Sequence, residues 1–378
     1  MAEDYFIGLM SGTSLDGVDA VLAQLTPTPH LVATHFLPYD NALKQQILTL
    51  QHPSENELEN ATILGNALAK LYAKTVLELV ENSGVRANDI RAIGCHGQTI
   101  RHQPKMNGDI GFSLQVGNAA LLAELTQITV VSDFRTRDIA AGGQGAPLVP
   151  AFHLEIFASK EKNRVILNIG GIANATYLPK LVDSQRNQVI GFDTGPGNML
   201  LDAWIKKHLN LDYDKNGQWS STGNIIPTLL ENMLREEFFA LTPPKSTGRD
   251  LFNQTWLNQH LSHNRFMPQD VARTLVRLTA QSIVDALANH CKDIDELYLC
   301  GGGARNQLLI QDLATLLATK FSGNIPVKLT DEVGIGVDWI EGFAFAWLAK
   351  KCLAAETANL PAVTGAKGAR ILGSITQA

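Results

Sequence analysis

Several short stretches set glycines, hydroxyls and acids where an apolar run ends. "GLMSGTSLDGVDA", beginning at Gly8, follows hydrophobic residues with Gly12, Thr13, Ser14, Leu15, Asp16, Gly17, Val18 and Asp19. Backbone N–H groups in such a turn can converge on phosphate oxygens, and Thr13 and Ser14 add hydroxyl donors. Asp16 and Asp19 would repel a phosphate unless a cation stood between them, so the pair suggests hydrated Mg²⁺ bridging to a nucleotide. Asp and Gly also serve an ordinary hairpin turn. "NIGGIAN", with Asn168, Gly170 and Gly171, has the same character. "CGGGARN" sets Gly301, Gly302 and Gly303 between a strand and a helix, with room for a flat ring or ribose to approach the backbone. Neither continues as G-K-[ST] or forms G-x-G-x-x-G with an acid downstream, and each alone is a tight connection. Their joint occurrence at three strand ends favours a nucleotide.

"GFDTGPGN" puts Asp193 at the tip of an apolar run. An aspartate held there can take a proton from an attacking hydroxyl or water; it could equally cap the next helix. The middle of the chain carries "GCHGQTIRH" and "SDFRTRDIAAGGQGAPLVP". Arg135 and Arg137 could engage a carboxylate in bidentate fashion, and His96, Gln98 and Asp133 could bond sugar hydroxyls or an amide. An arginine–acid run is more often a solvated face, and a lone histidine more often a structural hydrogen bonder.

The elements that must position these residues follow from hydrophobic periodicity. "YFIGLM", "AVLAQL" and "LVATHFLPY" read as three strands, the first two joined by the opening loop. A helix is expected from about Glu55 to Asn82. "IRAIGCHGQTI" reads as a strand running into a glycine turn, and "ITVVSDF" as another strand. Near Arg164 the pattern begins again: "RVILNIGGIANATYLP" is strand, turn and strand, "QVIGFDTGPGN" a third strand, and "NMLLDAWIKKHL" a helix. This is a weak internal repeat, and two mixed α/β halves facing each other would bring both glycine turns to a shared cleft. A mostly helical insertion from about Ile225 to His290, broken by the polar "STGRDLFN", precedes "ELYLCGGGARNQLLIQDLATLL". The helix "DWIEGFAFAWLAKKCLA" is expected to pack back across the domain junction.

The 378 residues allow two domains, and 45% of them are apolar. No uninterrupted apolar segment reaches membrane-spanning length. "MAEDYFIGLM" has acids where a signal peptide would have bases, so a soluble, cytoplasmic chain is expected. The net charge of -6 argues against a nucleic-acid partner. Cys95, Cys291, Cys300 and Cys352 form no C-x-x-C pair, which leaves reduced, buried thiols.

Taken in order, "GLMSGTSLDGVDA", "GCHGQTIRHQP", "DFRTRDIAAGGQGAPLVP", "NIGGIAN", "GFDTGPGN" and "CGGGARN" resemble the anhydro-N-acetylmuramic acid kinase family across nearly the whole chain. The resemblance implies an α/β, actin/hexokinase-like (ASKHA) fold with two RNase H-like domains around an ATP cleft. The expected domains are residues 1–130 plus about 345–378, and residues 131–344 with the helical insertion. It implies ATP and Mg²⁺, a 1,6-anhydro-N-acetylmuramic acid substrate, a cytoplasmic homodimer and a place in peptidoglycan recycling. Carried over, Gly12 to Asp19, Asn168, Gly170 and Gly171 would meet the ATP phosphates, and Gly301 to Gly303 the adenosine. Asp16 and Asp19 would hold the metal through water. Asp193 matches the catalytic base, and Glu341 an acid that helps hold the attacking water, with Glu332 and Asp338 as nearby competitors. His96, Gln98, Asp133 and Arg135 would bind the sugar, Arg135 taking its lactyl carboxylate. The alternatives are a kinase of the same fold for another sugar or polyol, and an ATP-driven binding module resembling actin or the Hsp70 nucleotide domain.

Overall fold

The computed structural model describes residues 4–12, 14–106, 109–181, 188–261 and 265–378. Thr13 and the Asp183–Asn187 stretch, which looked variable in the sequence, lie outside the described residues. The chain forms β1 (Tyr5–Ser11), β2 (Gly17–Gln24), β3 (His30–Pro38), α1 (Asn41–Leu50), α2 (Glu57–Ser83), β4 (Ile90–Met106) and β5 (Asp109–Val116). It continues with α3 (Ala119–Thr126), β6 (Val130–Ser132), α4 (Thr136–Ala140) and α5 (Val149–Phe157). Next come β7 (Arg164–Ile169), β8 (Ile172–Leu178), β9 (Ile190–Pro196), α6 (Met199–Leu209), α7 (Pro227–Met233), α8 (Glu237–Ala240), α9 (Gln254–Leu261) and α10 (Pro268–His290). The last elements are β10 (Glu296–Cys300), α11 (Gln307–Lys320), β11 (Val327–Leu329), α12 (Ile340–Leu353), α13 (Pro361–Thr364) and β12 (Ser374–Thr376). No helix among the described residues is long and apolar enough to cross a membrane.

Two compact units result. One comprises the chain up to Ile156 together with Trp339–Ala378, and the other is Phe157–Asp338. These limits differ from the expected 130/131 and 344/345. Residues beyond 130 stay with the first unit because β6 pairs with β4, and β12 returns to pair with β6.

The two sheets repeat one topology. In the first unit the order is β3–β2–β1–β4–β6–β12, with β5 added on the far half of β4. β1, β2 and β3 are antiparallel neighbours, whereas β4 runs parallel to β1 and β6 parallel to β4. In the second unit the order is β9–β8–β7–β10–β11, again three antiparallel strands followed by two parallel ones. This is the RNase H-like order twice, and the actin/hexokinase-like class expected from the sequence. The expected glycine turn after "AIGCH" does not form. β4 runs on through Gly97, which absorbs a φ of +74°, and continues into its pairing with β5.

Burial explains why these segments take these forms. β1 is covered on both faces and reads as an almost continuous apolar run. α12 is buried almost all round, from Ile340 through Ala349, so it belongs inside a core. It lies in the first unit against β1 and β4 at a distance only glycine permits. A Cβ on Gly8 would fall 1.8 Å from the Gly342 carbonyl oxygen, and one on Gly94 would fall 2.0 Å from the Phe345 carbonyl oxygen. In the second unit α10 supplies Val271, Leu275, Leu278, Ile283 and Leu287 to the core beneath the sheet.

Over-packing a rigid site costs up to about 3 kcal/mol, and here the obstructing atoms are backbone. Gly8→Ala and Gly94→Ala are therefore expected to lower the melting temperature by several degrees. Gly323→Ala, with nothing within 4 Å of its added carbon, should leave it unchanged, and thermal unfolding of the three variants checks this.

Candidate active site

The loop between β1 and β2 is held from beneath by buried polar groups. The Ser11 hydroxyl donates to the Gly97 carbonyl at 3.1 Å and lies 2.9 Å from the Tyr72 hydroxyl. Gln98 is fully buried; its amide donates to the Gly12 carbonyl at 3.2 Å, and its oxygen accepts from Tyr39 at 3.3 Å. Burial pushes the Tyr39 phenol up to about 12 and raises that of Tyr72, so both stay neutral donors. Gln98 thus meets the loop backbone rather than solvent. Leu15 sits at φ +59° with its side chain buried, a left-handed conformation that costs a non-glycine residue about 1 kcal/mol. Asp16 is exposed, and its Oδ1 accepts from the Ser14 hydroxyl at 2.7 Å and the Gly17 amide at 3.1 Å. Val18 is buried, and Asp19 lies on β2 opposite Met10 and Phe36. By strand alternation Asp19 shares the face of Val21, which packs against Gly342 of α12.

α12 also brings Glu341 to this unit's polar cluster. Burial raises the Glu341 carboxyl, the Arg135 guanidinium opposes the shift, and Asp16 adds to it. Burial lowers Arg135 to about 10, with Glu341 pulling the other way. Burial, and then Arg135, hold His96 down at about 3, so its ring is neutral and Nε2 is an acceptor. Arg135 donates to that nitrogen from Nε at 3.2 Å and from Nη2 at 2.8 Å, and from Nη1 to the Gly145 carbonyl at 2.8 Å. The His96 ring packs 4.8 Å from that of Phe345 on α12. Asp133 is exposed at φ +55° and accepts from the Thr136 hydroxyl at 2.5 Å; Arg137 is exposed. The competitors of Glu341 are engaged in the second unit: Asp338 pairs with Arg305, and Glu332 accepts from the Leu329 amide at 3.4 Å.

In the second unit two turns are laced together. The amides of Gly197 and Met199 donate to the Gly171 carbonyl at 2.9 and 3.2 Å, and that of Asn198 donates to the Gly170 carbonyl at 2.8 Å. The Thr279 hydroxyl on α10 donates to the carbonyls of Pro196 and Gly197 at 3.1 and 2.9 Å. The glycines here divide by cause. Carbons added at Gly197, Gly301 and Gly303 would strike the Gly170 carbonyl at 2.3 Å, Asn168 at 2.3 Å and Ile169 at 2.3 Å. At Gly12, Gly170, Gly171 and Gly302 the nearest atoms would be 3.6 to 4.0 Å away, with no positive φ. Packing does not require glycine at those four positions. A ligand lying close against the backbone would.

Asp193, midway along β9 rather than at its tip, is half-buried. Its Oδ2 accepts from the Thr247 amide at 2.9 Å, and its own amide donates to the Lys245 carbonyl at 3.1 Å. Desolvation raises its carboxyl to about 6 against the pull of that amide and of the Lys245 ammonium. Lys245 is buried, its Nζ lying 4.7 Å from the centre of the Phe238 ring and donating to the Phe238 carbonyl at 3.3 Å. Gly195, two residues on, sits at φ +147°, where an added carbon would meet Phe239 at 2.7 Å. The sequence reading singled out Asp193 but not Lys245 or Thr247. Their signal was the polar break "PPKSTGRD" inside an otherwise helical region.

A sequence model of the family described as anhydro-N-acetylmuramic acid kinase matches residues 4–378. A protein of that name from Nitrosomonas europaea is 51% identical over 372 residues, spanning 98% of this chain and 99% of its own. Its namesake from Nitrosospira multiformis is 49% identical and spans 99% of both chains. The one from Ralstonia nicotianae is 50% identical, spanning 98% of this chain and 96% of its own. Among solved structures, a ROK family glucokinase from Streptomyces griseus, in complex with glucose and AMPPNP, is similar at 10% identity and a TM-score of 0.43, covering 92% of this chain and 99% of its own.

The Asp193 carboxyl is raised in the folded chain from 3.8 to about 6. Its contribution to stability is full below the ordinary value and is lost as pH rises through about 6. Asp193→Asn should therefore melt several degrees above the parent protein at pH 8. The gap should narrow as pH falls below about 6 and be nearly closed at pH 4, and paired thermal melts at pH 8 and pH 4 test it.

Proposed function

The chain belongs to the anhydro-N-acetylmuramic acid kinase family, and from that premise we propose that it opens 1,6-anhydro-N-acetylmuramic acid with water and phosphorylates O6 from ATP, giving N-acetylmuramic acid 6-phosphate and ADP. The observation that carries this reading is Asp193. One oxygen is fixed by the Thr247 amide, and a carboxyl raised to about 6 is mostly ionised at neutral pH yet basic enough to take a proton. In this reaction Asp193 deprotonates the water that attacks C1. The C1–O6 bond breaks, and O6 forms its new bond to the γ-phosphorus as ADP leaves. A glycosidase needs a second acid to protonate the departing oxygen; here the phosphoryl group takes its place. Glu341 helps to hold the water.

The glycines without a packing reason, Gly12, Gly170, Gly171 and Gly302, support ATP binding: Gly12 to Asp19, Asn168, Gly170 and Gly171 meet phosphates, and Gly301 to Gly303 meet the adenosine. Phosphoryl transfer depends chiefly on such positioning and on charge stabilisation. Asp16, exposed and oriented by Ser14 and Gly17 through one carboxylate oxygen, suits a water-mediated partner of Mg²⁺, with Asp19 as the second. Bound there, Mg²⁺ would neutralise charge on the phosphates. His96, Gln98, Asp133 and Arg135 form the sugar side. Arg135 keeps one hydrogen on each Nη beyond those given to His96 and Gly145, enough to meet the lactyl carboxylate. Gln98 acts there through the Gly12 carbonyl. The same reading makes the protein a cytoplasmic homodimer in peptidoglycan recycling and amino-sugar catabolism.

Turnover in ¹⁸O-water should place label at C1 of a 6-phosphorylated product; unlabelled product would exclude the coupled reaction. Asp193→Asn should lower kcat by about 10²–10⁴. In the parent protein kcat/KM should fall on the acid side of about pH 6 as Asp193 takes up its proton. Ready transfer of labelled phosphate to free glucose would point to a different sugar kinase.

A further inference from the structure

The segment after α12 carries no motif, yet it grips the loop that follows Arg135. Asp138, on α4, is fully buried. Its Oδ1 accepts from the Asn359 amide at 2.6 Å and the Thr364 hydroxyl at 2.8 Å, and its Oδ2 accepts from the backbone amide of Gly145 at 2.8 Å. Asn359 and Thr364 are themselves 5% and 0% exposed. Two backbone bonds run alongside: Gln144 donates to the Thr364 carbonyl and Lys367 to the Ala141 carbonyl, each at 2.8 Å. A carbon added to Gly143 would fall 2.1 Å from Asp138 Oδ2, so the loop closes tightly over the carboxylate.

This arrangement is a costly way merely to pack a tail. A buried carboxylate with neutral partners is tolerated only because its oxygens are hydrogen-bonded, and apolar side chains would serve packing at lower cost. What the carboxylate fixes is one residue, Gly145. The Gly145 carbonyl in turn accepts from Arg135 Nη1 at 2.8 Å. We propose that Asn359 and Thr364 act through Asp138 as positioning residues for Arg135, the tail serving as a clamp on its guanidinium. Any effect of the clamp on turnover rests on the reading of Arg135 as a sugar contact. The clamp itself can be read on Arg135's own N–H groups.

The test uses the full chain with ¹⁵N-labelled arginine, the Arg135 Nε–H signal being assigned by its loss in Arg135→Lys. Thr364→Val removes one donor while keeping the shape of the side chain. The Arg135 Nε–H should exchange with water about tenfold faster, the worth of one hydrogen bond, and Thr364→Ser should restore it. Asn359→Ala carries the same expectation from the other donor, should Thr364→Val not fold. Unchanged exchange at Arg135 in the folded variant overturns the proposal, as does faster exchange spread evenly over all arginines. In the same variant KM for the sugar should rise about tenfold while KM for ATP holds. Faster exchange at Arg135 with an unmoved sugar KM would uphold the clamp and refute Arg135 as a sugar contact.

Discussion

The first unit depends on a backbone-to-backbone contact. Gly8 on β1 and Gly94 on β4 let α12 lie directly on the sheet, where any side chain would strike the carbonyl of Gly342 or Phe345. Close approach does more than fill space. It sets the height of α12 over the strands, and so the position of Glu341 in its first turn. It also brings Phe345 onto His96 and Phe134, with ring centres 4.8 and 5.5 Å apart. A helix standing one methyl group further out would carry all of these away together, because protein interiors are packed too densely to absorb the shift.

Upon that scaffold, burial and charge set the ionisation of the polar groups. Desolvation raises the carboxyls of Asp193 and Glu341, and in each case one cation on the same unit limits the rise: Lys245 for Asp193, Arg135 for Glu341. The cations are shifted the opposite way, Arg135 to about 10 and Lys245 below its ordinary value. Each of these two acids therefore has a partly desolvated cation of its own unit acting on it. Among the described residues neither acid forms a close ion pair, which would pull its carboxyl back down.

Much of this was legible in the residues. The small-residue turns, the strands that precede them and the helix carrying Glu341 all stand out, because apolar periodicity and glycine spacing are local signals. Asp193 could be singled out because an acid followed by glycines after an apolar run is a local signal, although it lies midway along β9 and not at its tip. What escaped is non-local. Thr247 and Lys245 reach Asp193 from more than fifty positions away, and Asp138 meets its partners from a tail more than two hundred residues on. Gln98 looked like a ligand contact because the sequence does not show which way a strand residue faces. Gly97 looked like a turn because a positive φ is also tolerated inside a long strand when its pairing changes partner there.

The second unit occupies one continuous stretch, Phe157–Asp338, whereas the first is interrupted and closes only with Trp339–Ala378. As the chain leaves the ribosome, the later unit in the sequence is complete before the earlier one. The N-terminal sheet must wait, with the Gly8 and Gly94 surface bare, for the helix that covers it. The second unit can therefore close its core before α12 is made, whereas the first cannot, a reversal of the usual order in which domains fold.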